Sequence, residues 1–343
     1  MRTIYSPRHA GHAGNVELNS GAIVPAFELP RRAEIIRDRV REVGLGPIEA
    51  PREFDLSVAA RVHDRGYLDF LPRAWPMWAA EGRGGTAMPF VFPVPGLRRD
   101  RPPEDIDGLL GFYAFDAGAT FVEGTWDAVR ASHDVALTGA ALLAEGERAV
   151  FSLCRPPGHH AGSRFAGGYC FVNNAAVAAE YLRGRGHERV TVLDIDYHHG
   201  NGTQEIFYAR GDVQVVNLHA DPVREYPYFL GHADERGTGA GEGANLNLPL
   251  PWGTGIEPFM AALATGLAAI ADFGPGALVV SLGVDTYRED PISRFQLDTP
   301  DYPGIGAAVA ALGLPTLFVM EGGYAVEPIG ANAVGVLTGF EEG

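Results

Sequence analysis

Five short runs in this chain, residues 150–154, 190–195, 213–218, 278–282 and 317–320, are rich in Val, Ile and Leu without alternating polar positions. A strand reads this way when both of its faces are covered, as in a parallel sheet wrapped by helices. Segments with helical spacing lie between them. Residues 28–43 align Ala33, Ile36, Val40 and Val43 on one stripe and stop at Gly44. Thr125 is placed to cap a helix running to Leu143, a helix over 174–182 ends at Gly184, and 258–273 and 300–312 fit the remaining crossovers. The order is α/β.

Each apolar run is followed by polar, reactive residues. His159 and His160 follow the first; Asp194, Asp196 and His198 close the second; His219 follows the third, Asp285 the fourth and Tyr324 the fifth. Parallel sheets bind ligands outside the carboxyl ends of their strands, so these side chains are expected to converge there.

Asp196, His198 and Asp285 make a donor set of two carboxylates and one imidazole, suited to Zn²⁺ or Fe²⁺ with a coordination position left open. Asp196 and His198 stand two residues apart, which at an extended strand end puts both on one side. His159 and His160 sit behind Pro156, Pro157 and Gly158, with Asp194 and Asn201 as partners to orient the imidazoles for acid–base work. Tyr324, after Glu321-Gly322-Gly323, offers a hydroxyl for a developing oxyanion. Taken singly, each of these has an ordinary structural alternative: a helix cap, a core histidine, a turn tyrosine.

Composition excludes several chemistries. All 27 basic residues are arginine, which removes Schiff-base catalysis and the lysine-bearing phosphate loop. The net charge of −16 argues against nucleic acid and suits a cationic small molecule. Cys154 and Cys170 form no CxxC pair and read as buried thiols in a reducing compartment. The longest apolar run, 260–271, is expected to be too short to cross a bilayer, and residues 1–7 lack a signal-peptide core. A cytoplasmic protein without membrane contact is expected. Over the 343 residues no break in composition divides the chain, so one domain spanning 1–343 is expected. The segment 71–103, carrying Trp75, Trp78, Phe90, Phe92 and several prolines, reads as an inserted loop whose apolar side chains pack on the domain or on a second subunit, the latter preferred.

Five ordered blocks, RPPGHHA, GGYCFVNNAA, DIDYHHGNGTQ, SLGVDT and MEGGY, together resemble the histone deacetylase family over most of the chain. PRRAEII and the segment 71–103 look closer to bacterial acetylpolyamine amidohydrolases than to eukaryotic protein deacetylases. The resemblance implies an arginase-like α/β single domain, a mostly parallel sheet with helices on both faces. It implies zinc on Asp196, His198 and Asp285, and His159 and His160 in catalysis with His160 the general base. Tyr324 would assist in polarising an acetyl carbonyl. A potassium ion would use Asp194 and nearby carbonyls, including that of Leu218. Gly168, Tyr169 and Tyr226 would line a narrow substrate tunnel, with Asp107 and Asp116 as acids toward a distant ammonium. A glutamate of polyamine-specific relatives falls at Gly118 here. That departure counts toward the alternative, an acetyl-lysine peptide; the segment 71–103, narrowing the entrance through dimer contacts, makes a small cationic acetylated amine, taken by a homodimer, the expected substrate. A manganese ureohydrolase would need a further carboxylate ligand where His199 and Gly200 stand, and an acetyl-binding protein without catalysis would carry damaged ligand or base positions.

Overall fold

The computed structural model describes residues 1–343. The five apolar runs become strands β5 (Ala149–Ser152), β6 (Val190–Asp194), β7 (Val213–Ala220), β9 (Ala277–Leu282) and β10 (Thr316–Met320). Three further strands complete one sheet: β1 (Arg2–Ile4), β4 (Ile48–Glu49) and β8 (Asn245–Leu250). Its order is β4-β1-β5-β10-β9-β6-β7-β8, and every pairing is parallel. A small hairpin, β2 (Val16–Asn19) with β3 (Ala22–Pro25), stands apart as the antiparallel exception.

Successive residues of a strand point to opposite faces, and each face has its own core. Along β10, Leu317 and Val319 enter one core while Phe318 and Met320 enter the other. The first core receives α5 (Thr125–Ala144) and α6 (Asn174–Gly184). The second receives α1 (Pro30–Val43), α8 (Ile256–Phe273), α9 (Tyr302–Ala310) and α10 (Ile329–Glu342). The chain is thus a single domain with one parallel sheet flanked by helices.

Helix ends follow local chemistry. Gly44 closes α1 in the left-handed region at φ 66°. Asn173 caps α6 by accepting the Ala176 amide. Thr125 does not cap α5: Gly124 holds that position, and the Thr125 hydroxyl instead accepts the Val122 amide and meets His12. The helix at 256–273 extends the apolar run to 18 residues, so by length and composition it could cross a bilayer, contrary to the sequence expectation. In this fold its buried residues, Phe259, Leu263, Gly266 and Ile270, recur at helical spacing and pack it in the second core.

The segment 71–103 is less irregular than its sequence suggests. A short turn at Leu71–Arg73 leads into a helix at Ala74–Ala80, and only from there to Ile106 does the chain run without regular elements.

Candidate active site

The strands that carry the reactive residues, β5, β10, β9, β6 and β7, are consecutive neighbours in the sheet. Their carboxyl ends therefore open on one edge, and the loops beyond them meet.

Asp196, His198 and Asp285 are buried, with ligating atoms within 4.8 Å of one another. His198 Nδ1 lies 3.0 Å from Asp285 Oδ2 and 3.5 Å from Asp196 Oδ1. Since β6 ends at Asp194, Asp196 and His198 belong to the loop beyond it rather than to an extended strand end. Backbone amides hold the set: Gly322 donates to Asp196 Oδ2 at 2.8 Å, His198 to Asp196 Oδ1 at 2.9 Å and Tyr197 to Asp285 Oδ1 at 2.9 Å. A Cβ on Gly322 would press on both carboxylates, which explains glycine after Glu321. Burial, together with the neighbouring Asp196 carboxylate, pushes Asp285 well above the usual carboxylate range. Two facing buried carboxylates are costly unless a cation lies between them, so this set fits a divalent ion.

The two adjacent histidines have opposite electrostatics. His159 Nδ1 donates to Asp194 Oδ2 at 3.0 Å. Burial alone would lower its pKa, but Asp196 and Asp194 outweigh that and raise it to about 10. His160 Nδ1 pairs with Asn201 Oδ1 at 2.6 Å, and burial beside His159 and His198 holds it well below the usual range. His160 therefore stands neutral, with Nε2 carrying the free lone pair.

Tyr324 is buried, its ring 4.7 Å from the Arg32 guanidinium and 5.4 Å from the Tyr169 ring. Asp290 accepts the Tyr324 amide at 2.6 Å and the Ala325 amide at 3.1 Å. Arg32 donates to the Gly323 carbonyl at 2.5 Å and the Glu321 carbonyl at 2.6 Å. A buried Glu28 joins Arg32, at 2.8 Å, to Arg155 at 2.7 Å. Neither Arg32, Glu28 nor Asp290 is recognisable as a support from local pattern, because each acts across more than a hundred residues of chain or through a loop of irregular geometry.

The residues expected to line a tunnel come together around His160 and Tyr169. Gly168 and Tyr169 both lie at positive φ, 51° and 67°. A Cβ on Gly168 would collide with the His160 ring and meet the Tyr226 hydroxyl at 2.8 Å. The Tyr226 ring lies 5.1 Å from that of His160 and stacks on Phe115 at 5.9 Å. Asp116 accepts the Tyr226 hydroxyl at 2.6 Å, the Gly118 amide at 2.9 Å and the Gly168 amide at 3.1 Å. Its carboxylate thus ties Tyr226 to the turn that carries Gly168. Asp107 is likewise engaged, both of its oxygens paired with Arg83 at 2.5 and 3.1 Å. Glu17, from the hairpin, accepts the Tyr169 hydroxyl at 3.1 Å and the Phe27 amide at 3.1 Å. In sequence Glu17 is one polar residue of a short alternating strand, with nothing to mark it.

Leu218 is buried on β7, one residue beyond Asn217, which pairs in register with Asp194. His199 turns away from His198: its Nε2 meets Gln204 at 3.0 Å and its ring lies 4.6 Å from that of His219.

Known proteins resemble this chain over its whole length. The family model described as histone deacetylase domain matches residues 26–340. Acetylpolyamine amidohydrolase 2 of Pseudomonas aeruginosa is 54% identical over 341 residues, covering 99% of both chains. Acetylpolyamine amidohydrolase of Mycoplana ramosa is 50% identical over 341 residues, again 99% of both. The crystal structure of acetylpolyamine aminohydrolase from Burkholderia pseudomallei superposes with a TM-score of 0.94 at 40% identity, covering 99% of this chain and 98% of that one. The chain belongs to the histone deacetylase family, and is an amidohydrolase of the metal-dependent kind typical of it.

Proposed function

We propose that the enzyme is a zinc-dependent deacetylase of acetylpolyamines. The observation that carries the chemistry is the closeness of Asp196, His198 and Asp285 beside two histidines, one paired with Asp194 and the other with Asn201. Zn²⁺ or Fe²⁺ would be held by those three residues, and when bound it supplies Lewis-acid polarisation of an acyl carbonyl and acidifies water. His160 Nε2, left with its lone pair free because Nδ1 is paired with Asn201, accepts the proton of the attacking water. His159, protonated against Asp194, is the acid available to the departing amine. The Tyr324 hydroxyl donates to the oxyanion, from a loop fixed by Arg32 and Asp290.

Potassium fits beside Asp194, where the neighbouring Ser281 hydroxyl on β9 is buried without a partner and the Leu218 carbonyl lies on the adjoining strand. An oxygen-liganded cation would use such groups.

The polyamine assignment draws on relatives named acetylpolyamine amidohydrolases, on the Glu17 carboxylate at the Tyr169 wall and on the net charge of −16. A peptide deacetylase is the second reading, favoured by Gly118 and by the engagement of Asp107 with Arg83. Comparing kcat/KM for acetylputrescine, acetylspermidine and an acetyl-lysine peptide separates the two: the small amines are expected to lead, and a peptide preference overturns the assignment. Activity is expected to vanish on chelation and to return with Zn²⁺.

We place the enzyme in the cytoplasm, where its two buried free cysteines would stay reduced. The catalytic domain spans 1–343, with 71–103 as an insertion that contributes to a homodimer. Phe90 and Leu97 on that insertion are 70% and 59% exposed, with Val91 and Val94 exposed beside them. A patch of this kind on a small area of surface suits burial against a second copy.

A further inference from the structure

Beside the three-residue set lies a second group of ligating atoms. A ring nitrogen of His159, Cys170 Sγ and a carboxylate oxygen of Glu321 lie within 4.8 Å of one another, as close as Asp196, His198 and Asp285. The two groups share no residue. All three side chains are buried: Glu321 arrives at the end of β10, and the other two come from the chain between β5 and α6.

Glu321 is half-satisfied. Its Oε2 accepts the amides of Gly158 at 2.6 Å and His159 at 3.1 Å, while its Oε1 is buried with no partner. A carboxylate oxygen stranded in this way is costly, and a cation or donor placed against it removes the cost. The Cys170 sulfur receives the His160 amide, and its S–H is turned to the Gly168 carbonyl at 3.3 Å. Three consecutive amides, those of residues 158–160, thus face one carboxylate and one sulfur, and such a row favours anionic partners.

We propose that His159, Cys170 and Glu321 form a second, inhibitory site for a thiophilic divalent cation, of the class of Cd²⁺ or excess Zn²⁺. Nitrogen, sulfur and oxygen together make a softer donor set than two carboxylates and an imidazole, so the two sites differ in which ions they prefer. The cation sheds water and bonds to the sulfur, to Glu321 and to the imidazole nitrogen of His159, whose ring proton leaves to solvent as that bond forms. The Cys170 thiol releases its proton to solvent as the metal–sulfur bond forms. One thiolate and one carboxylate then balance the charge of the cation. Occupation withdraws His159 from acid–base work, which makes the site inhibitory.

The test is a titration of zinc-loaded enzyme with Cd²⁺, following cadmium–thiolate absorption in the ultraviolet, metal content and turnover. The absorption reads the site without substrate, so it stands or falls independently of the deacetylase assignment. A thiolate band is expected with the first added equivalent, together with a fall in turnover of tenfold or more. Cys154→Ser is expected to keep the band, Cys170→Ser to lose it, and Glu321→Gln to need roughly tenfold more Cd²⁺ or beyond for half the signal. Native enzyme that shows no thiolate band overturns the proposal without recourse to any variant. So does a band that disappears in Cys154→Ser or survives in Cys170→Ser.

Discussion

Tyr324 has its ring against Arg32 and its backbone tied to Asp290, so its hydroxyl can be removed without disturbing its support. Tyr324→Phe should lower kcat by about 10²–10³-fold, the range for loss of one oxyanion donor, with an unchanged melting temperature. Near-normal turnover would remove Tyr324 from the reaction. Glu28 calls for a different measurement, since it supports the site rather than entering it. Burial alone would raise its carboxyl, but Arg155 and Arg32 overcome this and hold it at about 2 rather than 4.5. The arginines stay charged throughout, although burial holds Arg155 below its ordinary range, so Glu28 carries the pH dependence. A depressed carboxyl contributes stability above about pH 4.5 that is lost as pH falls toward 2. The contribution is on the order of 3 kcal/mol. Urea unfolding of Glu28→Gln should show reduced stability at neutral pH and a flatter acid limb between pH 4.5 and 2. An acid limb identical to that of the native chain would count against it.

At the scale of elements, the loops beyond the strands place ligands by close approach of backbone. Gly322 follows β10 and lets its amide reach Asp196, where any Cβ would crowd Asp196 and Asp285 together. Gly322→Ala is therefore expected to lose bound metal in parallel with activity while the far-ultraviolet circular dichroism stays native. Full metal retention, measured by elemental analysis, would show that the loop can shift. Elements differ in how readily sequence exposes them. The five buried strands and the helices at 30–43, 125–144 and 174–184 are legible because burial on one or two faces leaves a period in the sequence. The outer strands at Arg2–Ile4, Ile48–Glu49 and Asn245–Leu250, of which the last two form the sheet edges, are not, since they are short or only partly covered and their pairing is with distant chain. The hairpin at 16–25 and the last helix escape notice for the same reason: tertiary contacts, more than local pattern, hold them in place.

For the whole molecule, the exposed apolar side chains of the insertion carry the proposed homodimer. Replacing Phe90 and Val94 together by aspartate should give a monomer by light scattering, with the melting temperature nearly kept because both side chains are exposed in one chain. A native chain already monomeric at micromolar concentration would refute the interface. The sequence by itself determined the parallel sheet, the edge at which chemistry gathers and the identity of the residues at that edge. These are written locally, in buried strands and in the motifs that follow them. Only the tertiary structure decided what each acid does. Asp116 and Asp107 pair with Tyr226 and Arg83, Glu17 reaches the Tyr169 hydroxyl from the hairpin, and Arg32, Glu28 and Asp290 brace the tyrosine loop. The reason is physical: the role of a charge depends on which partners reach it, and most of those partners lie far away along the chain.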